Sequence, residues 1–210
     1  MTLWCRSVTR WGQASYDGGR PTGGMTDGTD EESLEWTTTA SETEYSCPGF
    51  EVRRDDVELP DGTAGSFHSV VDSPTVVILP FASDGQVVVI EEWRQAVGRV
   101  NLGLPAGGIE PEEAPHEAVA RELREETGYE AGALDRLAVY EPANGLLDTT
   151  YHYYVAHGCT PAGSQELDHN ESIRVLTRSF TELEDRALAG ALQDGRSALA
   201  ILQYALQASE

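Results

Sequence analysis

Residues 107–129 read GGIEPEEAPHEAVARELREETGY. Pro115 suits the first turn of a helix, where its missing N–H costs nothing, and Gly128 suits the residue just past a helix end. The punctuation predicts a helix over about residues 114–127, entered from a glycine loop. At 3.6 residues per turn, Glu122, Glu125 and Glu126 share one face within about a 100° sector. Carboxylates crowded in this way repel each other, and a hard divalent cation that prefers oxygen ligands relieves them best. Val119, Ala120, Leu123 and Thr127 fall on the other face and are expected to pack on a sheet. RELREE alone is ordinary on a solvated helix. The glycine loop before it and Glu113 at its offset are what turn the pattern toward chemistry.

On either side, the text is strand-like. Residues 36–45 are Thr-rich, and residues 50–59 alternate before a turn at Pro60-Asp61-Gly62, with residues 67–71 as the returning partner. Residues 75–81 form a short buried strand, and Asp84-Gly85 turns the chain into a strand over 86–94. Residues 100–105 lead into the glycine loop. Beyond the helix, strands are expected over 134–141, 151–157 and 171–180, then helical text over 181–195 and 197–208. The pattern predicts an α+β chain, its mixed, mostly antiparallel sheet sandwiched between helices. The expected organisation is a disordered extension over 1–33, a strand section over 34–73, a main domain over 74–180 and C-terminal helices over 181–210. The acidic text starts at Met25, which suggests that residue as the natural start.

Composition narrows the function classes. The chain carries 36 acidic and 14 basic residues, a formal net charge of −22, and every basic residue is arginine. Self-repulsion of this size makes sense where salt screens it, so the charge points to a salt-adapted, haloarchaeal-type cytoplasmic protein. A merely acidic mesophilic protein is the alternative, and the absence of lysine speaks against it. There is no basic stripe for nucleic acid. Three widely spaced cysteines, Cys5, Cys47 and Cys159, make neither a disulfide framework nor a zinc pattern. No apolar run approaches the roughly 20 residues of a membrane span.

The helix and its loop resemble the Nudix signature, Gly-x5-Glu-x7-Arg-Glu-U-x-Glu-Glu-x-Gly-U with U a bulky apolar residue. It is met by Gly107, Glu113, Arg121, Glu122, Leu123, Glu125, Glu126, Gly128 and, as an aromatic variant, Tyr129. The resemblance implies the Nudix fold with an N-terminal β-strand section, and metal-dependent cleavage of a nucleoside diphosphate linked to another moiety. It assigns Glu122, Glu125, Glu126 and the Ala106 carbonyl to Mg²⁺ or Mn²⁺, and Glu113 and Arg121 to a supporting pair.

Residues about 50 to 180 also resemble the ADP-ribose pyrophosphatase branch, through LPDG at 59–62, Val76–Pro80, Glu91-Glu92-Trp93-Arg94-Gln95, Leu104–Gly107 and Pro142. That branch implies Arg94, with the backbone at Gly107, as substrate contacts and a catalytic base at Glu171, with Glu166 second. Without the family, Arg94 reads equally as an ion-pair partner of Glu91 or Glu92. The loop 143–148 departs from the branch's usual wording, which leaves other substrates open: another NDP-sugar such as GDP-mannose, or NADH. A non-catalytic Nudix-fold nucleotide sensor is the alternative of a different class. Tyr151, Tyr153 and Tyr154 read as core or as a stacking surface, His152 and His157 as strand residues, and a homodimer is the branch's usual state.

If the net charge is a salt adaptation, stability and activity rise as KCl or NaCl is brought to molar levels. Thermal unfolding across a salt series checks this, and equal stability at low ionic strength contradicts it.

Overall fold

A computed structural model of the chain describes residues 33–208. The expected N-terminal extension, except its last residue, and the Met25 start lie outside the described residues.

The elements run β1 (Thr37–Ser46), β2 (Glu51–Glu58), β3 (Ala64–Val71), β4 (Thr75–Ala82), β5 (Val87–Arg94), β6 (Arg99–Gly103), β7 (Ala106–Gly108), α1 (Pro115–Thr127), β8 (Tyr129–Glu130), β9 (Ala133–Tyr140), β10 (Leu147–Asp148), β11 (Tyr151–Pro161), β12 (Ile173–Arg178), α2 (Phe180–Leu188) and α3 (Gly195–Ala208). One sheet, β1-β2-β3-β10, holds the N-terminal strands. The larger runs β12-β5-β4-β11-β8, with β6 on β5, β7 on β4 and β9 on β11. Pairing is antiparallel except for β4 with β11 and β3 with β10. The chain is thus α+β with mixed sheets, as the sequence pattern implies.

β4 organises the core. Val76, Val77, Ile78 and Leu79 are fully buried because both faces of the strand are covered. With side chains alternating in direction, Val77 and Leu79 join Leu183, Ala200 and Ile201 on the α2–α3 side, whereas Val76 and Ile78 join Ala118, Val119 and Leu123 on the α1 side. β11 repeats the arrangement, Tyr153 and Val155 facing one way and Tyr154 and Ala156 the other.

Several expectations are corrected. On α1 the buried side chains are Ala118, Val119, Glu122, Leu123, Glu126 and Thr127, and Ala120 is exposed. The packed and acidic faces overlap, because two of the glutamates are themselves buried. Part of the glycine loop is strand β7, whose Ala106, Gly107 and Gly108 pair with Val77, Val76 and Thr75. Residues 99–103 form a full strand against β5. The helical text after 181 stops at Leu188, with Gly190 at φ 68°, and resumes only at Gly195.

The start of α3 is fastened to the turn before β7. The Ser197 hydroxyl donates to Asp194 Oδ2 at 2.5 Å and accepts the Leu104 N–H at 2.8 Å, and Arg196 Nε donates to Asp194 Oδ1 at 3.1 Å. Burial alone would raise the Asp194 carboxyl, but the Arg196 charge and the hydrogen bonds from Ser197 and Arg196 outweigh it and hold it below its usual range. A carboxyl depressed in the folded state stabilises fully above its unfolded pKa and loses that contribution as pH falls through the folded value. Asp194→Asn is therefore expected to lower stability by about 1–3 kcal/mol at neutral pH. Denaturant unfolding should show the gap to wild type closing below about pH 4. A gap that widens in acid contradicts this.

Candidate active site

α1 is set by its ends. Glu117 reaches back to the Ala114 N–H at 2.9 Å, and Gly128 closes the helix at φ 73° with its N–H on the Arg124 carbonyl. A Cβ at Gly128 would also stand 2.5 Å from the Gly163 carbonyl oxygen, so glycine is required there on two counts. The helix lies against β7, and three contacts fix the pair. The Glu126 carboxylate accepts the Ala106 N–H at 2.9 Å. The Arg121 guanidinium donates to the Gly108 carbonyl at 2.8 Å. The Glu122 carboxyl lies so close over Gly107 that a Cβ there would overlap its carbon and both oxygens.

Arg121 is the hub. It makes a two-pronged contact with Glu113, at 2.9 and 2.8 Å, and its Nη1 reaches Glu122 at 2.6 Å and Glu125 at 3.1 Å. Hydrogen bonding to Glu113 leads the contributions that raise its already high pKa. Even so, Glu122 and Glu126 are 8% and 3% exposed, and burial pushes the Glu122 carboxyl up and the Glu126 carboxyl well up. Repulsion from Glu92, Glu122 and Glu171 adds to the shift at Glu126.

Glu92 is the acidic group sequence reasoning passed over. It alternates with Glu91 along β5, so Glu91 turns outward to Arg174 while Glu92 turns inward and is 8% exposed. Its Oε2 stands 2.7 Å from the Arg94 guanidinium yet off the N–H directions, so it gains a charge contact and no hydrogen bond. Burial pushes its carboxyl up as well. Of the two ion-pair partners open to Arg94, Glu92 is the one realised. Its period-2 inward position was the available signal.

Glu171 stands just before β12, whose Ile173 pairs with Glu92, and it acts electrostatically on Glu92, Glu122 and Glu126. Its carboxylate accepts the Asp168 N–H at 2.9 Å. Glu166 is not brought to the cluster. Its backbone N–H caps Glu125 O, but its carboxylate pairs with Arg124 on the exposed side of α1 at 2.9 Å. A separate cleft of about 940 Å³ between the N-terminal sheet and β9–β11 takes in Phe67, Arg136, His152 and Tyr154 but none of these acids. Tyr153 is buried in the core, so the three tyrosines do not form one stacking surface.

Among the described residues no three acidic, His or Cys side chains converge on one point, because Arg121 draws Glu122 and Glu125 to itself. The donor set nonetheless fits a hard divalent ion: three carboxylates, two of them buried, beside the backbone of a strand that tolerates no side chain at Gly107.

A carboxylate-bearing loop–helix on an α/β/α sandwich defines a class of hydrolase, and comparison with known proteins gives its family. Residues 72–199 match the NUDIX domain, and residues 36–70 match the nucleoside diphosphate sugar hydrolase N-terminal domain. The chain belongs to the Nudix family and is a Nudix hydrolase. It is 30% identical to the ADP-ribose pyrophosphatase of Bacillus subtilis, covering 85% of this chain and 99% of that one. It is 27% identical to the methanol dehydrogenase activator of Bacillus methanolicus, covering 83% and 95%. A crystal structure of an ADP compounds hydrolase superposes with a TM-score of 0.70 at 23% identity, covering 84% of this chain and 96% of that one, and shares the fold.

Gly107→Ala forces the Glu122 carboxyl off β7. It is expected to weaken Mn²⁺ binding about 10- to 100-fold, the range for groups that orient metal ligands. A calorimetric titration with unchanged affinity contradicts the arrangement.

Proposed function

We propose that this Nudix hydrolase cleaves ADP-ribose with water to AMP and ribose 5-phosphate. The observation that carries the reaction type is the pair of buried carboxylates, Glu122 and Glu126, clasped onto Gly107 and Ala106 with an excess of negative charge around them. The substrate rests on the likeness to the B. subtilis ADP-ribose pyrophosphatase along nearly all of that protein's length.

Glu122, Glu125, Glu126 and the Ala106 carbonyl would hold Mg²⁺ or Mn²⁺. Bound there, such an ion would supply the charge that offsets the pyrophosphate oxygens against an incoming water. Arg121, tied to Glu113 and Gly108, sets the helix glutamates against the strand and would release its share of them to a bound ion. Arg94 leaves Glu92 to contact phosphate, where a guanidinium fork matches two oxygens at once. Glu171 accepts the proton of the attacking water. The enzyme works as a cytoplasmic homodimer in high salt. The N-terminal sheet supports the dimer, since β1 is exposed throughout and Trp36, Tyr45, Phe50 and Phe67 project from the sheet or its turns.

A panel of ADP-ribose, GDP-mannose, NADH, diadenosine polyphosphates and dNTPs, assayed with Mg²⁺ or Mn²⁺ in molar salt, tests the substrate. ADP-ribose is expected to be cleaved best by a species that sediments as a dimer, and Glu126→Gln to lose most turnover while keeping its fold. Preference for GDP-mannose or NADH moves the enzyme within its family, and inactivity on all supports a nucleotide sensor.

A further inference from the structure

Resting on that reading of the site, we propose that Arg196 is a second substrate-phosphate-binding guanidinium, acting with Arg94 beside Glu92. Arg196 is the second residue of α3, and its side chain is 23% exposed. A guanidinium has five N–H donors. Here Asp194 takes the Nε donor at 3.1 Å, and among the described residues neither Nη atom meets a hydrogen-bond acceptor. Neither is sealed from solvent. The contact with Asp194 grips the inner nitrogen and leaves the Nη fork open, the geometry that takes two phosphate oxygens side by side.

The fork is held in place relative to the metal-binding strand. Asp194 is fixed by Ser197, and Ser197 receives the Leu104 N–H, two residues before Ala106. Gly103 completes the junction, since a Cβ there would press to 3.1 Å on both Asp194 Oδ2 and Ser197 Oγ. Arg196 is therefore fixed to the same turn that delivers Ala106 and Gly107. Glu92 acts electrostatically on Arg196 and contacts Arg94 at 2.7 Å, which puts one buried carboxylate in reach of both arginines. Tyr151 also lies within electrostatic reach of Arg196.

Arg196→Gln is expected to raise the KM for ADP-ribose about tenfold or more, with a smaller fall in kcat, and to weaken calorimetric ADP binding alike. Mn²⁺ affinity should stay at the wild-type value, since the carboxylates are untouched. Arg196→Lys keeps the charge but not the fork and should fall between the two. An unchanged KM and unchanged ADP affinity, with only a lowered Tm, overturns the assignment and leaves Arg196 as a partner of Asp194. If the glutamine variant does not fold, the lysine variant decides, a wild-type KM and ADP affinity counting against the proposal. Should the wild type prefer another nucleoside diphosphate, the substrate reading fails while Arg196 is judged by the same KM split on the preferred compound.

Discussion

Negative charge without enough positive charge beside it is the constraint around which the site is built. Glu92, Glu122 and Glu126 are all buried, Glu125 and Glu171 stand close by, and each buried carboxylate costs several kcal/mol unless paired. Arg121 serves Glu113, Glu122 and Glu125 at once and leaves Glu126 with a backbone N–H alone. Such a cluster persists only because the surrounding fold fixes it. β7 pairs with the buried centre of β4, α1 is pinned at both ends, and the bare Cα of Gly107 lets the Glu122 carboxyl lie against the strand. The fold thus holds a repulsive arrangement ready for a cation.

The opposite side of the site is organised by the complementary charge. β5 brings Glu92 and Arg94 inward on one face, and the start of α3 brings Asp194 and Arg196. On the proposed reading, the acids that hold these arginines and the acids of α1 serve one substrate whose centre is a pyrophosphate. On the same reading, α1 and β7 carry the reaction type, while β5, the residues before β12 and α3 carry substrate choice, three parts of the chain that only the fold joins.

The limits of α1 were legible because Pro115 and Gly128 punctuate it, and the strands β4 and β5 because runs such as TVVILPF admit little else. β7 was hidden, since Ala-Gly-Gly carries no side-chain pattern and its pairing follows from the stretch Thr75–Val77 of β4 that β5 leaves unpaired. Ala118 is buried in place of Ala120 because the acidic and apolar faces of α1 overlap, the helix turning both toward β7 and β4. The break at 189–194 followed from packing, Leu192 being drawn into the core between two helices. Arg94 carried a family signature and could be named from sequence. Glu92 offered only its period-2 place on β5 as a signal, and Arg196 offered none, since their meeting joins a strand and a helix start far apart in the chain. The resemblance ranked Glu171 ahead of Glu166, and the structure separates them further through the turn at Asp168 and the exposed Arg124.

The central claim is that Glu122, Glu125 and Glu126 gather around a divalent ion beside Ala106 once Arg121 releases its share of them. Anomalous diffraction from a crystal grown with Mn²⁺ in molar salt tests it directly. The account predicts anomalous density bounded by the three carboxylates and the Ala106 carbonyl, with Arg121 retaining Glu113 and Gly108 but withdrawn from Glu122 and Glu125. Density elsewhere, or none beside an Arg121 that still grips both glutamates, would contradict it.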